Sequence, residues 1–478
     1  MRARLTLVAV AAFVVAGCGG GGGGGTKTGA KAPAGASLIP ADVPVYFAVT
    51  TDENSSQWEQ ADALLKKFPG REKLLAEARK ELSSEGVNFQ RDVLPALGPE
   101  VDFALFDLAD AEASLVGLTK PEDPEKLMEL LKKGDDPPQI VKKRDDGWVV
   151  FSDSQASVDR IGASGAKLAD DSRYKDALGK LPEESLASAW IEGKPLVTAI
   201  QKEAQGADLG QASKLEWLAA ALEARDDGAA IQAVVKGISA NTESFESSLL
   251  DKVPSDTLLF TTFKSLDKSL GDIEKQAGPG GALIEGALGV KLRDLADLFS
   301  GETALWARAG TPAPEITLAL DDTNAEAKLA TLGKLARKVI ALIPPSADFQ
   351  PTGPRPVTIE GASMNELRFG PFAVYYGRAN GWIVVTDTRN AIRDLRGADN
   401  SLADDPLFKE TKDAAGMPDE NAGFFYINLK DAIAEIAGLA GESIPADVQA
   451  NLRPLRTLLL YSKVDGDVTG ITAFLEIK

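Results

Sequence analysis

The sequence predicts an α+β protein of two homologous lobes, each a mainly antiparallel sheet with packed helices. Three observations carry this. Strand-like segments are joined by hairpin turns and interrupted by amphipathic helices, which argues for α+β layers rather than a doubly wound parallel sheet. Two long stretches can be laid over one another: Gly147–Asp153 reads GWVVFSD and Gly381–Asp387 reads GWIVVTD, Leu168–Asp171 and Leu402–Asp405 both read LADD, and Pro182-Glu183-Glu184 answers Pro418-Asp419-Glu420. With 478 residues, 44% hydrophobic and 26% charged, the composition is that of a globular chain long enough for two or three domains.

The first elements along the chain belong to neither lobe. Arg2 and Arg4 precede an apolar run from Leu5 to Val15 that is too short to span a bilayer, so residues 1–17 read as a secretory signal peptide. The run closes on Val15-Ala16-Gly17-Cys18, which resembles the bacterial lipobox. That resemblance implies a diacylglyceryl group on Cys18 and cleavage just before it. Residues 18–36 carry seven consecutive glycines, Gly19 to Gly25, followed by Ala, Gly, Lys and Pro. They read as a flexible tether, with a reach on the order of 23 Å. The expected location is the extracytoplasmic face of the cell membrane, lipid-anchored.

Lobe 1 is expected over residues 37–245. Val43 to Thr50 and Val101 to Leu108 read as strands, separated by helices around Ser56 to Phe68 and Glu72 to Ser83, with Leu74, Leu75, Ala78 and Leu82 on one apolar face. Ala113 to Thr119 pairs with the strand before it. A helix from Pro124, strands at Gln139–Lys143 and Gly147–Ser152, short helices to Lys180 and a strand at Leu186–Glu192 follow. A hairpin about Asp227 and Gly228, within Ala219–Gly237, closes the lobe.

Lobe 2, residues 246–478, repeats the plan. Val253-Pro254-Ser255-Asp256 answers Ile39-Pro40-Ala41-Asp42, and Gly289, Val290 and Gly301 answer Gly86, Val87 and Gly98. The closing hairpin is Leu458–Val464 and Val468–Ile477 about Asp465 and Gly466. An insertion, proline-rich from Pro344 to Pro356, adds strand-like segments at Val357–Glu360 and Asn365–Phe369.

Charge and residue counts remove whole classes of chemistry. The chain has no histidine, which excludes Ser-His-Asp and Cys-His catalysis, imidazole metal sites and histidine pH sensing. Its single cysteine, Cys18, can form neither an internal disulfide nor a thiolate cluster. A net charge of -19 repels phosphate backbones and anionic lipid headgroups, so no nucleic-acid partner is expected. No cofactor and no metal are expected either.

Together the lipobox, the duplicated unit opening on Pro-x-Asp, the Gly-Trp hairpins and the LADD segments resemble a family of uncharacterised two-repeat lipoproteins from high-GC Gram-positive bacteria. The resemblance covers nearly all of the chain after the signal. It implies location and architecture, and carries no reaction or active site.

Five constellations could carry chemistry. Asp465, Asp467, Thr469, Gly470 and Glu476 match the spacing of a calcium loop, but their flanks read as strands rather than helices, which favours a polar hairpin. Ser164 with Lys167 and Ser172 with Lys175 match Ser-x-x-Lys, yet the Lys-Thr-Gly that should follow occurs only at Lys27–Gly29. Adjacent carboxylates such as Asp145-Asp146, Asp170-Asp171 and Asp404-Asp405 fit turns and helix caps better than a catalytic pair. Gly278–Gly281, reading GPGG, reads as a flexible break. Among the tryptophans, Trp148 matches Trp382 and Trp190 matches Tyr426 as core positions, which leaves Trp58, Trp217 and Trp306 as the better ligand-site candidates.

The expected function is therefore that of a non-enzymatic binding or scaffold protein of the cell envelope, engaging an envelope protein or a hydrophobic ligand. One alternative is a carrier of a lipid or other hydrophobic ligand in an enclosed apolar volume. The other is a carboxylate-dependent hydrolase of envelope glycans, which needs two acids facing each other across roughly 5 to 9.5 Å.

Overall fold

The computed structural model describes residues 29–84, 86–133, 136–204, 209–238, 243–268, 270–271, 278–343, 351–440 and 444–478. The signal segment, Cys18 and most of the glycine-rich tether lie outside them. The described chain divides into two units, and both are α+β with antiparallel sheets.

The first unit takes the chain up to Ile238, together with Pro445–Leu455 and Asp467–Lys478. Its strands, numbered along the chain, are β1 (Val45–Thr50), β2 (Glu100–Leu105), β3 (Leu115–Thr119), β4 (Ile140–Lys143), β5 (Val149–Ser152), β6 (Ala187–Glu192), β7 (Trp217–Arg225), β8 (Gly228–Lys236) and the C-terminal β18 (Val468–Ile477). Antiparallel pairings place them in the order β4-β5-β3-β2-β1-β6-β7-β8-β18. Alternation along the strands divides the core in two. Tyr46, Ala48, Ala104, Val150, Trp190 and Ala219 face one layer, which the helix Ser172–Leu178 covers with Tyr174 and Leu178. Phe103, Val149 and Phe151 face the other, under the helices Ser56–Leu65 and Pro124–Lys133 with Trp58, Leu64, Leu127 and Leu131.

The second unit spans the chain from there to Ile444, with Arg456–Gly466. Its strands are β9 (Thr257–Lys264), β10 (Glu302–Arg308), β11 (Glu315–Asp321), β12 (Thr352–Ile359), β13 (Ala362–Phe369), β14 (Phe372–Ala379), β15 (Trp382–Thr386), β16 (Phe424–Asn428) and β17 (Leu455–Asp465). Their order is β12-β13-β14-β15-β11-β10-β9-β16-β17. From β14 to β17 this repeats the first unit's order from β4 to β7, strand for strand. The insertion is the hairpin β12-β13. Pro354 and Pro356 sit in β12, which pairs only with β13 among the described strands and so tolerates residues that lack an N–H donor.

Repeated sequence features carry repeated geometry. Each LADD segment forms a short 3-10 turn whose last aspartate caps the following helix: Asp171 Oδ1 accepts from the Arg173 amide at 2.7 Å, and Asp405 Oδ1 from the Phe408 amide at 2.8 Å. Gly98 and Gly301, each leading into the second strand of its unit, take φ of 67° and 80°, a region open to glycine at no steric cost.

Several expectations need correction. The lobe boundary at 245/246 and a second lobe running to residue 478 do not hold, because β18 pairs with β8 in one unbroken register from Val468↔Lys236 to Glu476↔Gly228. Its Val468 and Ile477 join the first unit's core. The tether does not run to Ala36: residues 30–37 dock on the first unit. Leu74 does not share the buried face of the helix Arg71–Ser84; it is 47% exposed while Leu75 is 8% exposed. Gly278–Gly281 is not a break, since it opens the helix Gly278–Leu288.

Candidate functional site

The residues that single out the first unit lie where β1, β2 and the N-terminal arm meet. Alternation on β1 and β2 turns Tyr46 and Asp102 into the same core layer, and Tyr46 donates its hydroxyl to Asp102 Oδ1 at 2.5 Å. Asp102 is fully buried. Its burial, followed by the neighbouring charge of Glu100, holds the carboxyl well above the usual carboxylate range. Burial and then the charge of Asp102 likewise push the Tyr46 phenol far up. Tyr174, raised by the same causes, packs edge-on to Tyr46 at 6.3 Å and to Trp190 at 5.5 Å, and Trp190 lies 5.8 Å from Trp217.

The arm seals this cluster. Ala34–Ser37 forms a 3-10 turn, Glu100 Oε1 accepts from the Gly35 amide at 2.8 Å, and the Ala30 amide donates to the Leu178 carbonyl at 2.9 Å. A Cβ at Gly35 would collide with Asp102 Oδ2, so only glycine lets the backbone close over the carboxyl. Beside the seal is a cleft of about 380 Å³, with Ala48, Ala187 and Ala221 in its lining and the carboxylates of Glu100, Glu183 and Glu184 around it. The arrangement offers a ligand a cleft with three carboxylates and the Lys31 ammonium, and behind it a buried carboxyl that the arm shields from solvent.

The second unit provides an internal control. By strand register, Phe260 stands where Tyr46 does, Ala304 where Asp102 does, and Tyr426 where Trp190 does. Phe408, at the same offset from its cap as Tyr174, packs edge-on to Tyr426 at 5.1 Å. Glu302 repeats Glu100, accepting from the hydroxyls of Ser247 and Ser248 at 2.8 and 2.7 Å. The glutamate latch is thus common to both units. The buried Tyr46–Asp102 pair is not, so the fold does not require it.

Sequence reading missed Tyr46, Glu100 and Asp102. The signal available was a mismatch between repeats, an aspartate over an alanine and a tyrosine over a phenylalanine. The tryptophans offered as ligand candidates are core residues: Trp58, Trp217 and Trp306 are each at most 1% exposed, and the Trp58 indole donates to the Thr50 carbonyl at 2.8 Å. Trp148 and Trp382 are also buried.

The remaining constellations are scattered. Asp465 ends β17, Asp467 pairs with Lys236 at 3.7 Å, and Glu476 lies buried on β18 beside Lys478 at 3.0 Å. Lys167 bonds the Ala163 carbonyl, Lys175 faces Asp170 at 3.6 Å, and Asp146 caps the turn before Trp148. Among the described residues no helix is long and apolar enough to cross a membrane. Cys18 lies outside the described residues.

A family model for DUF3352, described as a protein of unknown function, matches residues 5–138 and again, overlapping, residues 125–338. No curated protein matches. Among solved structures, crystal form III of TP0453 is 12% identical, covering 44% of this chain and 82% of that one at a TM-score of 0.24. Crystal form IV is 12% identical, covering 50% and 94% at a TM-score of 0.25.

Proposed function

The chain belongs to the DUF3352 family, whose function is unknown, and we propose that this member is a lipid-anchored, non-enzymatic binding protein of the extracytoplasmic face of the cell membrane. The observation that carries the proposal is the placement of the only cysteine, Cys18, at the end of the apolar N-terminal run. Docking of residues 30–37 supports it, because the tether then ends in a fixed arm and a pull on it is borne by the first unit. The binding part of the reading is supported by the acidic cleft beside that arm. A carrier of a hydrophobic ligand is the second reading, favoured by the apolar lining of the same cleft.

Cys18→Ser is expected to move the protein from the membrane fraction to the soluble or precursor pool. Fractionation of cells expressing the full chain checks this; retention of the variant in membranes to the wild-type extent would refute anchoring through Cys18.

A further inference from the structure

We propose that the second unit docks on anionic lipid surfaces through the helices Gly278–Leu288 and Ala325–Leu342. Four large apolar side chains on these helices stand in solvent: Leu283 is 77% exposed, Ile284 47%, Val339 45% and Leu342 65%. A Cβ built at Gly289, the residue after the first of these helices, would lie 3.9 Å from Cδ of Lys338 on the second.

The fold does not dictate this exterior. The first unit's counterpart of Gly278–Leu288, the helix Arg71–Ser84 that precedes the matched Gly86-Val87, carries seven charged residues in fourteen. Helix Gly278–Leu288 carries one, Glu285, whose carboxylate accepts from the Leu292 amide at 2.9 Å. Likewise Pro124–Lys133 buries Leu127 and Leu131, whereas Ala325–Leu342 runs longer and turns Val339 and Leu342 outward.

Charge selects the occupant. In a chain of net charge -19, the stretch from Thr331 to Leu342 holds Lys334, Arg337 and Lys338 and no carboxylate. One of these cations pairs with Asp294, at 3.8 Å. Outward apolar side chains next to basic ones on a helix are the pattern that settles at a bilayer interface, the apolar groups entering the acyl boundary and the cations meeting lipid phosphates. The inference stands on the second unit's own side chains and is tested on protein that cannot be acylated, so it can fail or succeed independently of Cys18.

The test uses residues 18–478 carrying Cys18→Ser, floated with vesicles of phosphatidylcholine alone or phosphatidylcholine mixed with phosphatidylglycerol. Flotation is expected with the anionic vesicles and not the neutral ones. The triple change Lys334→Glu, Arg337→Glu, Lys338→Glu is expected to weaken it about a hundredfold, and Leu283→Ser with Leu342→Ser about tenfold. Leu74→Ser with Ile200→Ser, on the first unit, is expected to leave it unchanged. Hydrogen exchange of the unsubstituted protein, slowed over 278–288 and 331–342 by anionic vesicles, reads the same docking without any change that could impair folding. No flotation, equal flotation on both vesicle types, or a solution dimer that Leu283→Ser with Leu342→Ser dissociates would overturn the proposal.

Discussion

Raising the pH from about 4 to about 8 is expected to cost the first unit the contribution of the Asp102 carboxyl, and Asp102→Asn is expected to remove most of that loss. The folded-state pKa of Asp102 lies well above its unfolded value, because burial and then the charge of Glu100 disfavour the carboxylate. The native unit therefore keeps a proton that the unfolded chain has released. Its stabilising contribution is complete below the unfolded pKa and declines as pH rises toward the folded one, by at most about 1.4 kcal/mol per pH unit for one proton. An asparagine keeps an acceptor for the Tyr46 hydroxyl without any charge to desolvate. At pH near 8 the variant is expected to gain on the order of 2 kcal/mol, roughly 4–8 °C in a unit of this size. Thermal unfolding of both proteins across this pH range checks the prediction; parallel pH slopes would contradict it. A double change, Tyr46→Phe with Asp102→Ala, recreates the Phe260–Ala304 pair of the second unit and is expected to flatten the slope equally.

The second large effect is expected from Trp190→Ala. Trp190 is fully buried between Tyr174 and Trp217 and lies opposite Tyr46 on β1. Removing an indole from such a site typically costs about 3–5 kcal/mol, from lost transfer energy and an unfilled cavity. The loss is expected to concentrate in the first unit, so native-state hydrogen exchange should speed at β1 and β6 amides far more than at β9 and β16. A change below about 1 kcal/mol at β1, or one equal in both units, would mean that the aromatic ladder is not the core of its layer.

These side chains also show how much of the molecule was legible beforehand. Hairpins announce themselves locally: Asp227-Gly228 between β7 and β8, and the glycines before Trp148 and Trp382, lie at the expected turns. LADD was readable as a turn and cap because its chemistry is complete within a few residues. The insertion's strands were readable from their alternation, near to where β12 and β13 lie.

What escaped was non-local. Nothing in Val468–Ile477 distinguishes pairing with β8 from closure of its own repeat, since either partner satisfies the same backbone groups. The arm was indistinguishable from linker because it docks through the amides of Ala30 and Gly35, with small side chains that reveal no buried face. Asp102 was invisible for a related reason. An acidic residue in a strand reads as solvent-facing until the register shows Ala48 opposite and Gly35 above it. Trp217 and Trp306 had no matching aromatic in the other repeat, which suggested a ligand, yet each fills its own unit's core.

Anchoring through Cys18 is read most directly in the mass of the N-terminal peptide after detergent extraction from the cells that make the protein. The expected result is a peptide beginning at Cys18 and carrying a diacylglyceryl group. A peptide that begins elsewhere, or an unmodified Cys18, would contradict it.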